Sequence, residues 1–396
     1  RHSPFTVRNF FPSMPDETKP AFAPPKELKM FPNDRQLCVA RFSPCGNFLA
    51  AGAMEGTVRR WKVVEKPKPA AEVELPDEPK KKPAAKNAKA PPESPVDLVP
   101  QPHLTGFNGW VQNIAFHPKD KVLFVADTWG KLIATAYESD APKPLWENTT
   151  AHDGWIRKLA ISADGQHLAT CGRDQFVRIW TTAGKLVAEH RAEEEVFAVT
   201  FAPEGKVVAF GDLKGQVKTW DFGTKQVARE FDASVLHKLS RLQNVCGVRT
   251  LTFIESGKSL LVGGCEPAGG GFVEGAPMLL RFDTATGKKQ AEWKFGEAKD
   301  GFVLDVAAHP AGYLIVVTSG QPGSGKIMFL RPGEKEPFFT HTAVANVHSV
   351  TLHPDNKRFA VAAMNKASNG NGRPKTADGS YPSNTSPVHL FEIPAA

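Results

Sequence analysis

Seven times along the chain a short apolar stretch runs into a turn and then climbs into a second apolar stretch ending in Gly or Asp. The turns fall at Phe42-Ser43-Pro44, Phe116-His117-Pro118, Ile161-Ser162-Ala163, Phe201-Ala202-Pro203, Phe253-Ile254-Glu255, Ala308-His309-Pro310 and Leu352-His353-Pro354. Within one copy, residues 159–180, apolar bursts rich in Val, Ile, Leu and Trp are divided by Asp164-Gly165 and Gly172-Arg173-Asp174. Bursts of that length predict strands of about four to six residues joined by tight turns. A helical period is held in one place only: within residues 233–245, Val235, Leu239 and Leu242, with Leu236 beside them, predict a short amphipathic helix.

Successive turns are 74, 45, 40, 52, 55 and 44 residues apart. A period of roughly 40 to 45 residues is that of a four-stranded propeller blade. A lone sheet of this kind exposes two apolar faces and must stack on neighbours, and a closed ring leaves no unprotected end. The predicted fold is therefore all-β, a seven-bladed β-propeller of four-stranded antiparallel blades. The last copy ends at Val388-His389-Leu390-Phe391-Glu392-Ile393 with no fourth strand after it. Residues 24–34 stand one strand ahead of the first copy and are predicted to complete blade seven, removing the open edge. This divides the chain into a tail at 1–23 and a propeller over 24–396.

The third and fourth copies carry a family resemblance. The run from His152 to Trp180, HDGWIRKLAISADGQHLATCGRDQFVRIW, resembles a WD40 repeat, and Trp220-Asp221 matches the dipeptide that names that family. The resemblance implies a hydrogen-bonded tetrad of His152, Thr170, Asp174 and Trp180 that pairs otherwise orphaned buried groups and locks one blade. Elsewhere the match loosens: Phe107 and Trp129 stand where the His and Asp would be in copy two, and copies five to seven lack the third-strand Trp. The Ala-, Pro- and Lys-rich insertion and loose repeats resemble bacterial members of the family.

That insertion, over 64–100, departs from the repeat pattern. It holds seven Lys against seven Asp and Glu, so it is charge-balanced and reads as an extended, solvated loop or a docking arm in or after blade one. The net charge of +7, with 49 basic and 42 acidic residues, is mild and forms no stripe of cations among aromatics, so nucleic acid is not an expected partner. No run of eighteen apolar residues suggests a membrane span. Cys38, Cys45, Cys171, Cys246 and Cys265 lack metal-site spacing and read as small buried hydrophobes. Their usage favours a cytoplasmic setting, with a removed leader and a periplasmic or secreted location left open. Phe5, Phe10, Phe11 and Phe22 make the tail aromatic, as expected of a segment lying in a groove of the propeller or on another subunit.

For function, the resemblance implies that the loops joining strands B to C, and D to the next A, emerge on one face. The extra length in the chain concentrates there, at 233–245, 266–275, 320–325 and 366–387, making a crown over blades five to seven whose net charge, with Lys326 included, is +3. Loops carry binding residues because their length changes without disturbing the scaffold. The expectation is a non-catalytic platform for protein partners, or a subunit of an assembly, with Lys238, Arg241, Phe272, Lys326, Arg373, Lys375 and Tyr381 as candidate contacts. No cofactor, metal or small-molecule substrate is expected. Gly320 to Lys326 fits a phosphate-loop pattern, but Ile327 replaces the magnesium-binding Ser or Thr and a strand follows in place of a helix. His117, His309 and His353 occupy the same turn of three different blades, which repetition explains better than a metal. The alternative is a propeller enzyme, a lactonase-like hydrolase whose His, Asp and Glu converge on the central channel.

Overall fold

The computed structural model describes residues 22–66, 94–240, 242–268, 275–364 and 386–394. These form seven four-stranded antiparallel sheets arranged as the blades of a β-propeller, together with one two-stranded hairpin. Strands are named A to D from the central channel to the rim. The seven inner A strands are Leu37–Phe42, Val111–Phe116, Ile156–Ile161, Val196–Phe201, Thr250–Ile254, Phe302–His309 and Val347–Leu352.

Burial follows position in the blade. B strands such as Phe48–Ala53, Val122–Asp127 and His167–Gly172 are buried at every position but the first, because neighbouring blades cover both faces. Rim strands such as Leu186–Arg191 and Gln226–Asp232 are mostly exposed. The apolar clusters accordingly lie between blades: Ala169, Val177 and Ile179 of blade three pack with Val199, Val208 and Trp220 of blade four.

The N-terminal strand Lys26–Phe31 pairs antiparallel with Val388–Glu392 and completes blade seven. Its Lys29 also reaches Asp97 on the rim strand of blade one at 2.8 Å. Phe22 lies against Tyr313, Phe329 and Phe338 at ring separations of 6.3, 5.4 and 4.8 Å, so this one tail aromatic sits in a groove of the propeller, over blade six. Phe5, Phe10 and Phe11 lie outside the described residues.

In blade one, strands Thr57–Glu65 and Val96–Leu104 pair with one another, and the backbone of Lys66 donates to Pro95 across the gap between them. The composition-rich segment therefore interrupts the C–D hairpin inside the blade, and both ends predicted to be loop, 64–66 and 94–100, are ordered. Residues 67–93 lie outside the described residues.

The predicted helix is not formed. A single 3-10 turn, Ser234–Leu236, leads into a hairpin of His237–Ser240 with Gln243–Cys246. Leu236 alone finds a core position, packed close to Gly264 in blade five. With no second apolar surface to cover a helix, cross-strand pairing satisfies the backbone locally, and Leu239 and Leu242 are left 62% and 95% exposed.

Three histidines act as latches between blades. His117, His309 and His353 stand 2.9, 2.8 and 3.2 Å from the carbonyls of Gly165, Asn356 and Gly46, each in the A–B turn of the next blade. A carbonyl only accepts, so Nε2 carries the proton donated across each seam; Nδ1 accepts a backbone N–H of the same turn in His117 and His309, and in His353 it lies between the amide and the carboxylate of Asp355.

Candidate functional site

D–A connections and B–C turns emerge on what is here called the upper face. The structure brings the four tetrad residues together beneath it. His152 Nδ1 lies 2.8 Å from Asp174 Oδ1, His152 Nε2 lies 2.7 Å from Thr170 Oγ1, and Trp180 Nε1 donates to that hydroxyl at 2.9 Å. Arg178 adds a 2.7 Å contact to Asp174 Oδ2. Burial opposes ionisation of Asp174, but hydrogen bonds from His152 and Arg178 outweigh it and hold the carboxyl well below its ordinary range. Burial lowers the pKa of His152, against the pull of Asp174.

Blade four has the Trp-Asp dipeptide without the network. Phe210 occupies the place of Thr170, and Trp220 Nε1 is buried with no partner. Its B–C turn is instead capped by Asp212, whose Oδ1 accepts Lys214 and Gln216 N–H at 2.9 Å each, and Asp127 does the same in blade two for Trp129 and Lys131.

Of the candidate contact residues, Lys238 is exposed on the first strand of the hairpin, where it pairs with Val245 one step from the base. Lys326 is already engaged: its ammonium donates to Phe295 O at 2.9 Å and to the buried Asp300 at 3.0 Å. The loop it ends runs into strand Ile327–Leu330, as the sequence indicated. Arg241, Phe272, Arg373, Lys375 and Tyr381 lie outside the described residues.

The upper face holds a feature that sequence reasoning missed. Trp129, in the B–C turn of blade two, is 66% exposed, and Trp110, just before the inner strand of that blade, is 40% exposed. Trp110 packs against Trp155 of the next D–A connection at 5.8 Å, and Trp155 carries the Arg157 guanidinium at 4.3 Å. The available signal was Trp129 itself, a large aromatic between Thr128 and Gly130 in a turn, where a side chain has no core to enter.

The channel is lined by the inner strands. In six blades the A–B register slips by one residue, at Cys38, Gln112, Arg157, Phe197, Leu304 and His348, and Arg249 holds the same offset in blade five. These seven side chains ring the upper mouth of the channel. One step deeper, Asp305 accepts from Arg41 at 2.9 Å, from Ser349 at 3.1 Å and from the Val350 amide at 3.2 Å. Among the described residues, two carboxylates beside these cations are committed, Asp305 to Arg41 and Glu195 to Arg157 at 2.7 Å. All five cysteines are free, and Cys45, against expectation, is exposed.

The family model for the WD domain, G-beta repeat, matches residues 27–62 and 143–181. Each match takes the rim strand of one blade with the three inner strands of the next, which is why the N-terminal strand has to close the ring. A WD repeat-containing protein 55 homolog of Drosophila ananassae is 26% identical over 38% of this chain and 32% of its own length. The WD repeat-containing protein 55 of Danio rerio is 31% identical over 28% of this chain and 30% of its own. The rice small ribosomal subunit protein RACK1y is 24% identical over 33% of this chain and 38% of its own. The chain spans about a third of the length of these relatives. With seven blades of this topology and these matches, the chain is a β-propeller that carries WD40 repeats at 27–62 and 143–181. Members of the WD40-repeat family are generally non-catalytic scaffolds.

Proposed function

We propose that this chain is a non-catalytic platform that binds protein partners through its upper face. The binding surface runs from the tryptophan cluster over blades two and three, past the channel mouth, to the hairpin and crown of blades five to seven. The observation that carries the reading is the exposure of Trp129 and Trp110 beside Trp155, since solvated indoles of this size on one face are unusual and interface anchors are enriched in Trp. The exposed Leu239 and Leu242 with Lys238 extend the surface across the ring. The scaffold role general to the family supports the class of function, as does the rice relative, whose name places that protein in a ribosomal subunit.

The test is quantitative affinity capture from the native source with three baits: the intact chain, a Trp110→Ala/Trp129→Ala variant, and a chain whose 366–387 loop is replaced by a short Gly-Ser turn. Neither indole belongs to an apolar cluster between blades, and Trp110 gives up only its contact with Trp155, so the double variant should keep its melting temperature to within a few degrees. The reading expects a specific partner to be lost by about tenfold or more from the double variant, as for removal of an aromatic anchor worth upward of about 1.4 kcal/mol. Equal capture by all three baits would remove the upper face from consideration.

A further inference from the structure

We propose that the upper half of the central channel is a binding site for a small organic dianion, a phosphate monoester or a dicarboxylate, held by Arg249 and Lys158. The site is built by the fold. On six inner strands a β-bulge turns one side chain into the mouth, and bulges recur where a strand must re-aim a residue. Together with Arg249, Met54, Asn113 and Lys158 these side chains enclose a cavity of about 330 Å³, at the small end of ligand sites.

The charges in this cavity do not balance. Arg157, Lys158 and Arg249 line this cavity and Arg41 the adjoining one, and among the described residues the carboxylates paired with them are Asp305 and Glu195, a formal excess of two positive charges. Burial lowers the pKa of Lys158 and of Arg249, so an anion bound here would restore the charge that burial disfavours. Arg41 and Arg157 hold the two carboxylates. Lys158 and Arg249 make no ion pair among the described residues. The Arg249 guanidinium is instead sandwiched by the rings of Phe197 and Phe302, at 4.3 and 4.9 Å, which fixes its position while leaving Nη1 buried and unpartnered. His348 Nε2, on the same ring of residues, is also buried without a partner.

A buried donor or acceptor left without a partner is destabilising and calls for an occupant. Two excess cations in a low-dielectric cavity favour one dianion over two separate monovalent ions, because a single molecule bridges both. Burial pushes His348 down to about 4, so near neutrality its ring is a neutral hydrogen-bonding group for the ligand and adds no charge. The cavity opens at the channel mouth that the platform surface passes and meets the tryptophan cluster where Trp155 stacks on Arg157, but neither Trp110 nor Trp129 lines it.

The test is titration calorimetry of the full chain in chloride buffer at constant ionic strength, with inorganic phosphate, succinate and a capped peptide bearing one phosphothreonine as probes. Wild type, Arg249→Met, Lys158→Met, Arg249→Lys and the Trp110→Ala/Trp129→Ala variant are compared, with each fold checked by its melting curve. The expected result is saturable one-to-one binding of phosphate or succinate, weakened at least tenfold by either Met substitution, partly restored by Arg249→Lys, and unaffected by the tryptophan changes. If Arg249→Met fails to fold, Lys158→Met carries the comparison. Binding of the peptide without either free anion, affinities unchanged in the Met variants, or no saturable binding at all would overturn the proposal.

Discussion

Thr170 shows how much can rest on one hydroxyl. It accepts the Trp180 indole N–H and stands 2.7 Å from His152 Nε2, so its own proton goes to the imidazole while Nδ1–H is held by Asp174. Thr170→Val keeps the shape but orphans two buried rings, and we expect a loss of about 2 to 3 kcal/mol by urea denaturation. Gly46 carries the latch at the closure seam: its φ is +77°, and a Cβ there would lie 2.5 Å from His353 Nε2. Gly46→Ala should therefore cost on the order of 2 kcal/mol from strain and displacement of the latch. The ionisable groups fix the sign of the acid response. The lowered pKa values of His152 and His348 mean that the unfolded chain binds protons more readily, so their contribution is complete above the ordinary histidine value and lost as pH falls. For His348 the window runs from 6.5 down to about 4. Replacing it with Gln should flatten the melting temperature against pH across that window; an unaltered slope would count against a buried, neutral imidazole.

At the scale of elements, legibility depended on whether a signal was local. The turn motifs and apolar bursts gave the blades, and counting strands gave the closing segment, because an unpaired edge in blade seven required a partner. The hairpin at 237–246 was misread because Val235, Leu239 and Leu242 have helical spacing, yet spacing marks a helix only where a core receives that face, and here blade five receives Leu236 alone. The bulges that turn Arg157 and His348 into the channel were invisible in sequence, since a one-residue slip appears only once the pairing register is known. The tetrad was legible because four residue types recur at family spacing, whereas Trp129 was noted only as a departure from that pattern. The closing strand makes the sharpest prediction at this scale. Five of its six residues pair with blade seven, and Lys29 reaches blade one, so deleting 24–34 opens the ring where the two chain ends meet. Melting should remain a single transition displaced downward by several degrees or more; a melting temperature equal to that of the intact chain would mean the strand is ornamental.

The whole molecule separates its tasks by face and by depth. Tetrad and turn caps hold the upper rim, histidine latches hold the lower turns, and the channel keeps its unbalanced charge away from both. On the upper face, the indoles and the hairpin are the exposed apolar surface of the proposed platform, while Leu145, Leu186 and Val187 lie exposed on rim strands. The most direct test of the platform reading is site-specific photo-crosslinking in the native source, with the photoreactive residue placed at Asp153, beside Trp155 on the upper face, or at Glu204, in an exposed A–B turn on the lower face. The account predicts a discrete protein adduct from position 153 that is absent from position 204. An adduct from 204 alone, or the same set of adducts from both positions, would contradict it.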